Sequence, residues 1–152
     1  RAVTELDGPP PARIMVAAGS GGTAAGLVAG IAARGWPTRV VAAAVSRPAG
    51  ATEAVITELA GQCSARLGLP AAGGRALDVV DAIGAGFHVS DAADRAAADL
   101  ALDTEGLLVD PTYTAKALAA LMDLAGRGDA GGATVFWHTG GVGGALREQE
   151  AR

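Results

Sequence analysis

Three glycines and two hydroxyl side chains crowd into Gly19-Ser20-Gly21-Gly22-Thr23, directly after the apolar run Ile14 to Ala18 and directly before the helical pattern Ala24 to Arg34. A glycine in such a turn costs roughly 0.5–1 kcal/mol of chain entropy relative to alanine, so glycines at this density mark a place where bare backbone must approach something closely. A strand that exits through this kind of turn into a helix makes an anion cradle. Its peptide N–H groups and the helix end, which carries about half a positive charge, can hold a phosphate without a cationic side chain. No Lys or Arg lies between Arg13 and Arg34 to do that work instead. A tight strand-to-helix turn with no ligand has the same composition, so the rest of the chain has to decide.

A second segment of the same kind stands near the other end, where Ala133 to Trp137 reads as a buried strand and runs into His138-Thr139-Gly140-Gly141-Val142-Gly143-Gly144. Ligands of open α/β sheets bind outside the carboxyl ends of the strands, so the two exits can frame one ligand from two sides. A nucleotide-triphosphate loop is excluded, because it needs a lysine after its last glycine, and Lys116 is the single lysine among 12 basic residues. A dinucleotide site stays open: Gly19-x-Gly21-x-x-Ala24 fits its fingerprint, and Arg47 stands where a 2′-phosphate of NADP would be met. The hydroxyls of Ser20 and Thr23 suit one compact phosphate monoester better than a pyrophosphate, and pyridoxal phosphate answers that description.

These residues need a frame, and the composition limits its kind. The 152 residues are half apolar but contain only five aromatic ones (Trp36, Phe87, Tyr113, Phe136, Trp137), so a single core has to be filled with Ala, Val, Leu and Ile. Helices packed closely on a sheet satisfy that demand. Gly35-Trp36-Pro37 breaks the chain before a second buried strand, Arg39 to Val45, and the resulting βαβ unit implies a parallel pair with a right-handed crossover. Pro48 allows a new helix, with helical spacing over Glu53 to Leu67 up to Gly68; Leu69 to Gly74 reads as loop and Leu77 to Val80 as a third strand. Ser90-Asp91 predicts an N-cap for a helix over Ala92 to Thr104, Leu107 to Val109 reads as a short extended piece capped by Asp110-Pro111, and Thr114 to Ala125 as a further helix. The expected architecture is α/β, a three-layer αβα domain with a mostly parallel sheet.

Charge and cysteine content exclude several classes. A net charge of −4 leaves no basic footprint for nucleic acid or anionic membrane. Cys63 is the only cysteine, which rules out an internal disulfide. The uncharged stretch Ile14 to Ala33 is interrupted by glycines in the manner of strand, turn and helix, not of one membrane helix. The polar, proline-bearing start shows no signal peptide, which points to the cytoplasm. Arg1 in place of Met is expected of a piece of a longer chain.

The segments Val16-Ala17-Ala18-Gly19-Ser20-Gly21-Gly22-Thr23-Ala24-Ala25-Gly26-Leu27, Val45-Ser46-Arg47, Thr104-Glu105-Gly106-Leu107-Leu108-Val109-Asp110-Pro111-Thr112-Tyr113-Thr114-Ala115-Lys116-Ala117 and His138-Thr139-Gly140-Gly141 follow one another in that order. With them the chain resembles the C-terminal half of the D-cysteine desulfhydrase and 1-aminocyclopropane-1-carboxylate deaminase family, pyridoxal-phosphate enzymes of the tryptophan synthase β-like fold (fold type II). The resemblance runs through nearly all of the chain and is weakest over Leu69 to Ser90.

The resemblance implies that Gly19, Ser20, Gly21, Gly22 and Thr23 bind the cofactor phosphate and that Tyr113 is the active-site tyrosine. It also implies that Thr114 binds the cofactor and that Thr139 and Gly140 lie near the pyridine ring. Read by itself, Tyr113 is as easily a half-buried tyrosine at a helix start, and Thr139 an ordinary N-cap. His138 fits a packing role at a strand end, and His88, in a loop, carries no signal. Thr114 stands where deaminases of the family tend to have glutamate and desulfhydrases threonine, which favours desulfhydrase-like chemistry. Ala115 replaces a glycine usual in the family, a mild change within a helix.

The family's Schiff-base lysine lies in an N-terminal half that no segment here resembles. Lys116 corresponds to a different family lysine and reads as a surface or structural charge. The expected activity is therefore that of a parent lyase or deaminase: α,β-elimination from a small D-amino acid, or deamination of aminocyclopropane carboxylate. The chain alone is expected to be inactive, with the missing half or a homodimer partner completing the site. An NADP-binding module and a remnant without function are the alternatives.

Overall fold

Alternation along the first strand sets up the layers. In the computed structural model, which describes residues 2–72, 75–129 and 131–150, β1 (Arg13–Ala18) sends Ile14, Val16 and Ala18 into one apolar cluster and Met15 and Ala17 into another. β2 (Arg39–Ala44) repeats the division, with Val40 and Ala42 on the first side and Val41 and Ala43 on the second. Strands buried on both faces belong to a parallel sheet covered by helices. With β3 (Leu77–Asp81) and β4 (Thr134–Trp137) they form a four-stranded sheet of order β3-β2-β1-β4, parallel throughout.

One face is covered by α1 (Gly22–Ala33) and α2 (Ala49–Leu67), whose Leu27, Val28, Ile31, Ile56 and Ala60 are all buried on it. The other face is covered by α4 (Thr114–Gly126), through Ala117, Ala120, Leu121 and Leu124, with α3 (Ala92–Glu105) packed beside it. A last helix, α5 (Val142–Glu150), follows β4, and a 3-10 turn at Ala2–Glu5 lays Val3 against Gly30 of α1. The three-layer αβα domain read from the sequence is the observed one. Among the described residues no helix is long and apolar enough to cross a membrane.

One boundary differs from the sequence reading. α1 begins at Gly22, so Gly22 and Thr23 are part of its first turn and not of the loop before it. Sequence reading starts the helix at the first good helix former, whereas the backbone turns at Gly21, whose φ of +91° only glycine adopts readily. Leu107 to Val109 joins no sheet; Val109 packs with Ala101 and Ala115 between α3 and α4 instead. Of the predicted loop Leu69 to Gly74, residues 69–72 are irregular and Gly73 and Gly74 lie outside the described residues. Asp91 caps α3 as predicted, in a reciprocal box with Asp94.

Ile56 is fully buried in the α1/α2 face and also stands 3.1 Å from where a Cβ on Gly21 would lie, so it supports the loop as well as the core. Ile56→Ala should lower the free energy of unfolding by about 2–5 kcal/mol in urea denaturation, against about 0.5–1.5 kcal/mol for Ile56→Val.

Candidate active site

The strand order places a crevice. From β1 the chain passes through α1 to β2 on one side, and it returns through α4 to β4 on the other side of β1. This reversal is a topological switch point, where open α/β sheets take their ligands. Both glycine-rich segments leave the sheet there, since β1 and β4 are neighbours with Val16 opposite Trp137.

The first segment is built as an open helix end. Gly21 is the N-cap of α1 in left-handed conformation, no side chain caps the helix, and its first turn holds no acidic residue. Ser20, Gly22 and Thr23 are exposed. A side chain at Gly21 would be strained by its φ and would press on Ile56. The Gly19 carbonyl accepts hydrogen bonds from the Ser46 hydroxyl (3.2 Å) and the Arg47 guanidinium (3.0 Å). Held by two donors, it is not free to swing toward a bound anion. This occupies Arg47: the side chain that an NADP reading would aim at a 2′-phosphate closes back on the loop.

Tyr113 joins the loop to the other glycine-rich exit. A Cβ on Gly19 would lie 2.8 Å from Tyr113 Cε1, so the ring occupies the space that a side chain at Gly19 would need. The ring is 39% exposed, enough to meet a ligand. Its backbone is set by Asp110, a residue whose role sequence reading missed. The buried Asp110 carboxylate accepts from the Tyr113 N–H (2.8 Å) and the Thr114 N–H (3.3 Å), capping α4 from three residues upstream. Thr114 is buried; its hydroxyl accepts from the Asp110 N–H at 2.7 Å and lies 3.3 Å from the Asp110 carboxylate. Gly141 packs so tightly on Asp110 that a Cβ there would lie 2.6 Å from its Oδ2. The contacts Gly19 to Tyr113, Tyr113 to Asp110 and Asp110 to Gly141 thus bring the two exits together.

Thr139 and Gly140 are exposed, and Gly140 has a φ of +125°. His138 donates from Nε2 to the Leu108 carbonyl at 3.0 Å and is half-buried. A signal for Asp110 was present in the sequence, an Asp just ahead of a helix start, but the covering by Gly141 could not be read from it.

Of the two readings of Lys116, a surface or a structural charge, the structure shows the structural one. Its side chain is fully buried, and Nζ donates to the Asp94 carboxylate (2.8 Å), the Val89 carbonyl (2.9 Å) and the Ile83 carbonyl (3.0 Å). All three ammonium protons are matched. The lysine therefore fastens both ends of the segment Ile83 to Val89, which links β3 to α3, onto α4. That segment delivers Phe87, whose ring meets Tyr113 edge-on with centroids 5.8 Å apart at 74°.

A parallel sheet covered on both faces, with an uncapped helix end and a phenol at its switch point, has the architecture of an α/β ligand-binding protein. Residues 2–140 match the family described as pyridoxal-phosphate dependent enzyme, and the chain belongs to that family. It is 34% identical over 135 residues to a putative 1-aminocyclopropane-1-carboxylate deaminase of Pyrococcus furiosus, covering 86% of this chain and 40% of that protein. It is 37% identical over 134 residues to the nocardicin C-9′ epimerase of Nocardia uniformis, covering 87% of this chain and 40% of that one. Against a D-cysteine desulfhydrase of Salmonella paratyphi B the identity is 33% over 131 residues, or 85% of this chain and 40% of the relative. The chain thus spans about two fifths of the length of these curated relatives. Among solved structures, a crystal structure of an ACC deaminase homologue superposes with a TM-score of 0.86 at 27% identity, covering 98% of this chain and 45% of that one. The fold is the tryptophan synthase β-like one, as the resemblance implied.

Because Lys116→Met leaves Asp94 charged and buried without its partner, it should destabilise the chain by about 3–5 kcal/mol in chemical denaturation. Replacing both residues by apolar ones, Lys116→Met with Asp94→Leu, should recover part of that loss, and a double-mutant cycle measures how much.

Proposed function

We propose that the Gly19–Thr23 segment and the first turn of α1 hold the phosphate of pyridoxal 5′-phosphate, the cofactor of the family. The observation that carries this reading is the uncapped N-terminus of α1, opened by a left-handed glycine at the switch point. The donor set suits the group: helix N–H groups without a side-chain cap, and the exposed Ser20 and Thr23, which accept no internal cap role and leave their hydroxyls for a ligand. The fixed Gly19 carbonyl keeps an acceptor from turning into the anion's place. When bound, pyridoxal phosphate supplies the electron sink for the reacting substrate, and the protein supplies binding, orientation and proton transfer.

In that division of labour Tyr113 is the residue that handles a proton. Its ring lies against Gly19 and the residue is partly exposed, so the phenol can hold a substrate group or pass a proton to one. Thr114 keeps Asp110, and through it the Tyr113 backbone, in place, so its part in cofactor binding runs through that pair. Thr139 and Gly140 would close the ring's other side, the glycine with a φ that lets backbone pass close.

Lys116 does not anchor the cofactor, because its amine is buried on three oxygens. The covalent anchor then comes from a lysine outside these 152 residues, supplied by an N-terminal half or a homodimer partner, and this chain alone holds the cofactor non-covalently without turnover. The chemistry of the completed site is α,β-elimination from a small D-amino acid such as D-cysteine, or deamination of aminocyclopropane carboxylate. The threonine at 114 favours the former.

Titration with pyridoxal 5′-phosphate, followed by quenching of tryptophan fluorescence, tests the cradle. Gly21→Val should weaken binding by roughly tenfold or more, about 1.4 kcal/mol, and Thr23→Ala, on an exposed position that does not endanger folding, should weaken it to a smaller degree. A borohydride-trapped pyridoxyl adduct on Lys116, together with turnover of D-cysteine by the chain alone, would overturn this assignment.

A further inference from the structure

His88 is the one non-glycine residue with a positive φ among the described residues, at +64°. Left-handed backbone is costly for a residue with a Cβ and persists where the surroundings hold it, which is most often at functional sites. The surroundings here are definite. Lys116 holds the Ile83 and Val89 carbonyls, so the segment between them must close within a fixed span. Three residues in that span have positive φ: Gly84 at +58°, Gly86 at +143° and His88. Glycine would serve at all three, so the imidazole at the third has to return something for the strain.

Its contacts show what. His88 Nδ1 lies 3.1 Å from the Thr112 hydroxyl, and Thr112 immediately precedes Tyr113. The imidazole also lies on Phe87, with ring centroids 3.9 Å apart, and Phe87 in turn meets the Tyr113 ring edge-on. Tyr113 is therefore reached twice from the same side chain, once through the hydroxyl of the residue before it and once through the ring beside it. Gly19 bounds the tyrosine on another flank, and the residue stays partly exposed.

We propose that His88 is a positioning residue for Tyr113, fixing the orientation of the phenol through Thr112 and Phe87. The importance of that orientation rests on the reading of Tyr113 as the proton-handling group of the site, but the positioning itself does not. The imidazole exchanges backbone strain for a fixed phenol, and a loop that needed only to close would have glycine in its place.

Tyr113 is the only tyrosine of the chain, so tyrosine labelled with carbon-13 in its ring gives one set of NMR signals that reports on it alone. The experiment compares the full 152-residue chain without cofactor to His88→Gly, Thr112→Val and the double variant. His88→Gly should leave the thermal midpoint unchanged or raise it, since glycine relieves the left-handed strain. It should nonetheless move the tyrosine ring signals and lose the Overhauser contact between the Phe87 and Tyr113 rings. Thr112→Val should shift the same signals in the same direction. The double variant should add little to His88→Gly, because the two groups act as one pair. Ring signals and ring contact unchanged in both single variants would overturn the proposal, as would two shifts that simply add. A failure of the chain to bind pyridoxal 5′-phosphate would overturn the functional reading and leave this result standing.

Discussion

The ring of Tyr113 stands where a side chain on Gly19 would be, and the rest of the site follows from that exchange. A residue with a Cβ at 19 would push the tyrosine out of the crevice, so the strand has to exit on glycine. With the ring there, the N-terminus of α4 is placed against the exit of β1, and Asp110, which caps that helix end, falls beside the exit of β4. Gly141 then has no room for a side chain either. Two glycines at two strand ends are thus fixed by two side chains on one intervening turn. The topology supplies the meeting place, because β1 and β4 are adjacent while their connections run to opposite sides.

The far side of Tyr113 is secured by a buried charge. Moving an ammonium and a carboxylate out of water costs several kcal/mol per ion, and their attraction offsets this only when the remaining hydrogen-bond capacity is also used. Lys116 meets that condition through two main-chain carbonyls besides Asp94. Both carbonyls belong to the segment carrying Phe87 and His88, so the ion pair locks in place the loop that packs on the tyrosine. Asp94 is held independently by its reciprocal cap with Asp91, which orients the carboxylate before the lysine reaches it. On the opposite flank Arg47 and Ser46, at the end of β2, hold the Gly19 carbonyl. The Gly19 loop is thus braced by Ser46 and Arg47, and the Tyr113 ring by the segment that Lys116 holds.

The frame was legible in the sequence because its signals are local. The apolar runs of β1, β2 and β4, the glycines after β1 and β4 and the Asp91 cap each declare an element within a few residues, and all of them are present. The glycine turn ahead of α1 and the helix start at Tyr113 were legible for the same reason. What escaped were pairings across long stretches of chain. Lys116 finds its acceptors 22, 27 and 33 residues away, and the bonds from Ser46 and Arg47 to Gly19 span 27 and 28. A single buried lysine is indistinguishable from a surface one in a list of residues, and His88 carries no signal until its φ is known. Leu107 to Val109, read as a short extended piece, packs in the seam between α3 and α4, another pairing that only the fold reveals.

The account stands on the claim that this chain holds a phosphate at the open end of α1. Phosphorus NMR of pyridoxal 5′-phosphate added to the chain reads that contact directly. The phosphate resonance should shift and broaden on binding, inorganic phosphate should reverse the change in competition, and Gly21→Val should require a higher protein concentration to produce it. A phosphate resonance that stays at its free position while the pyridine ring is bound would contradict it.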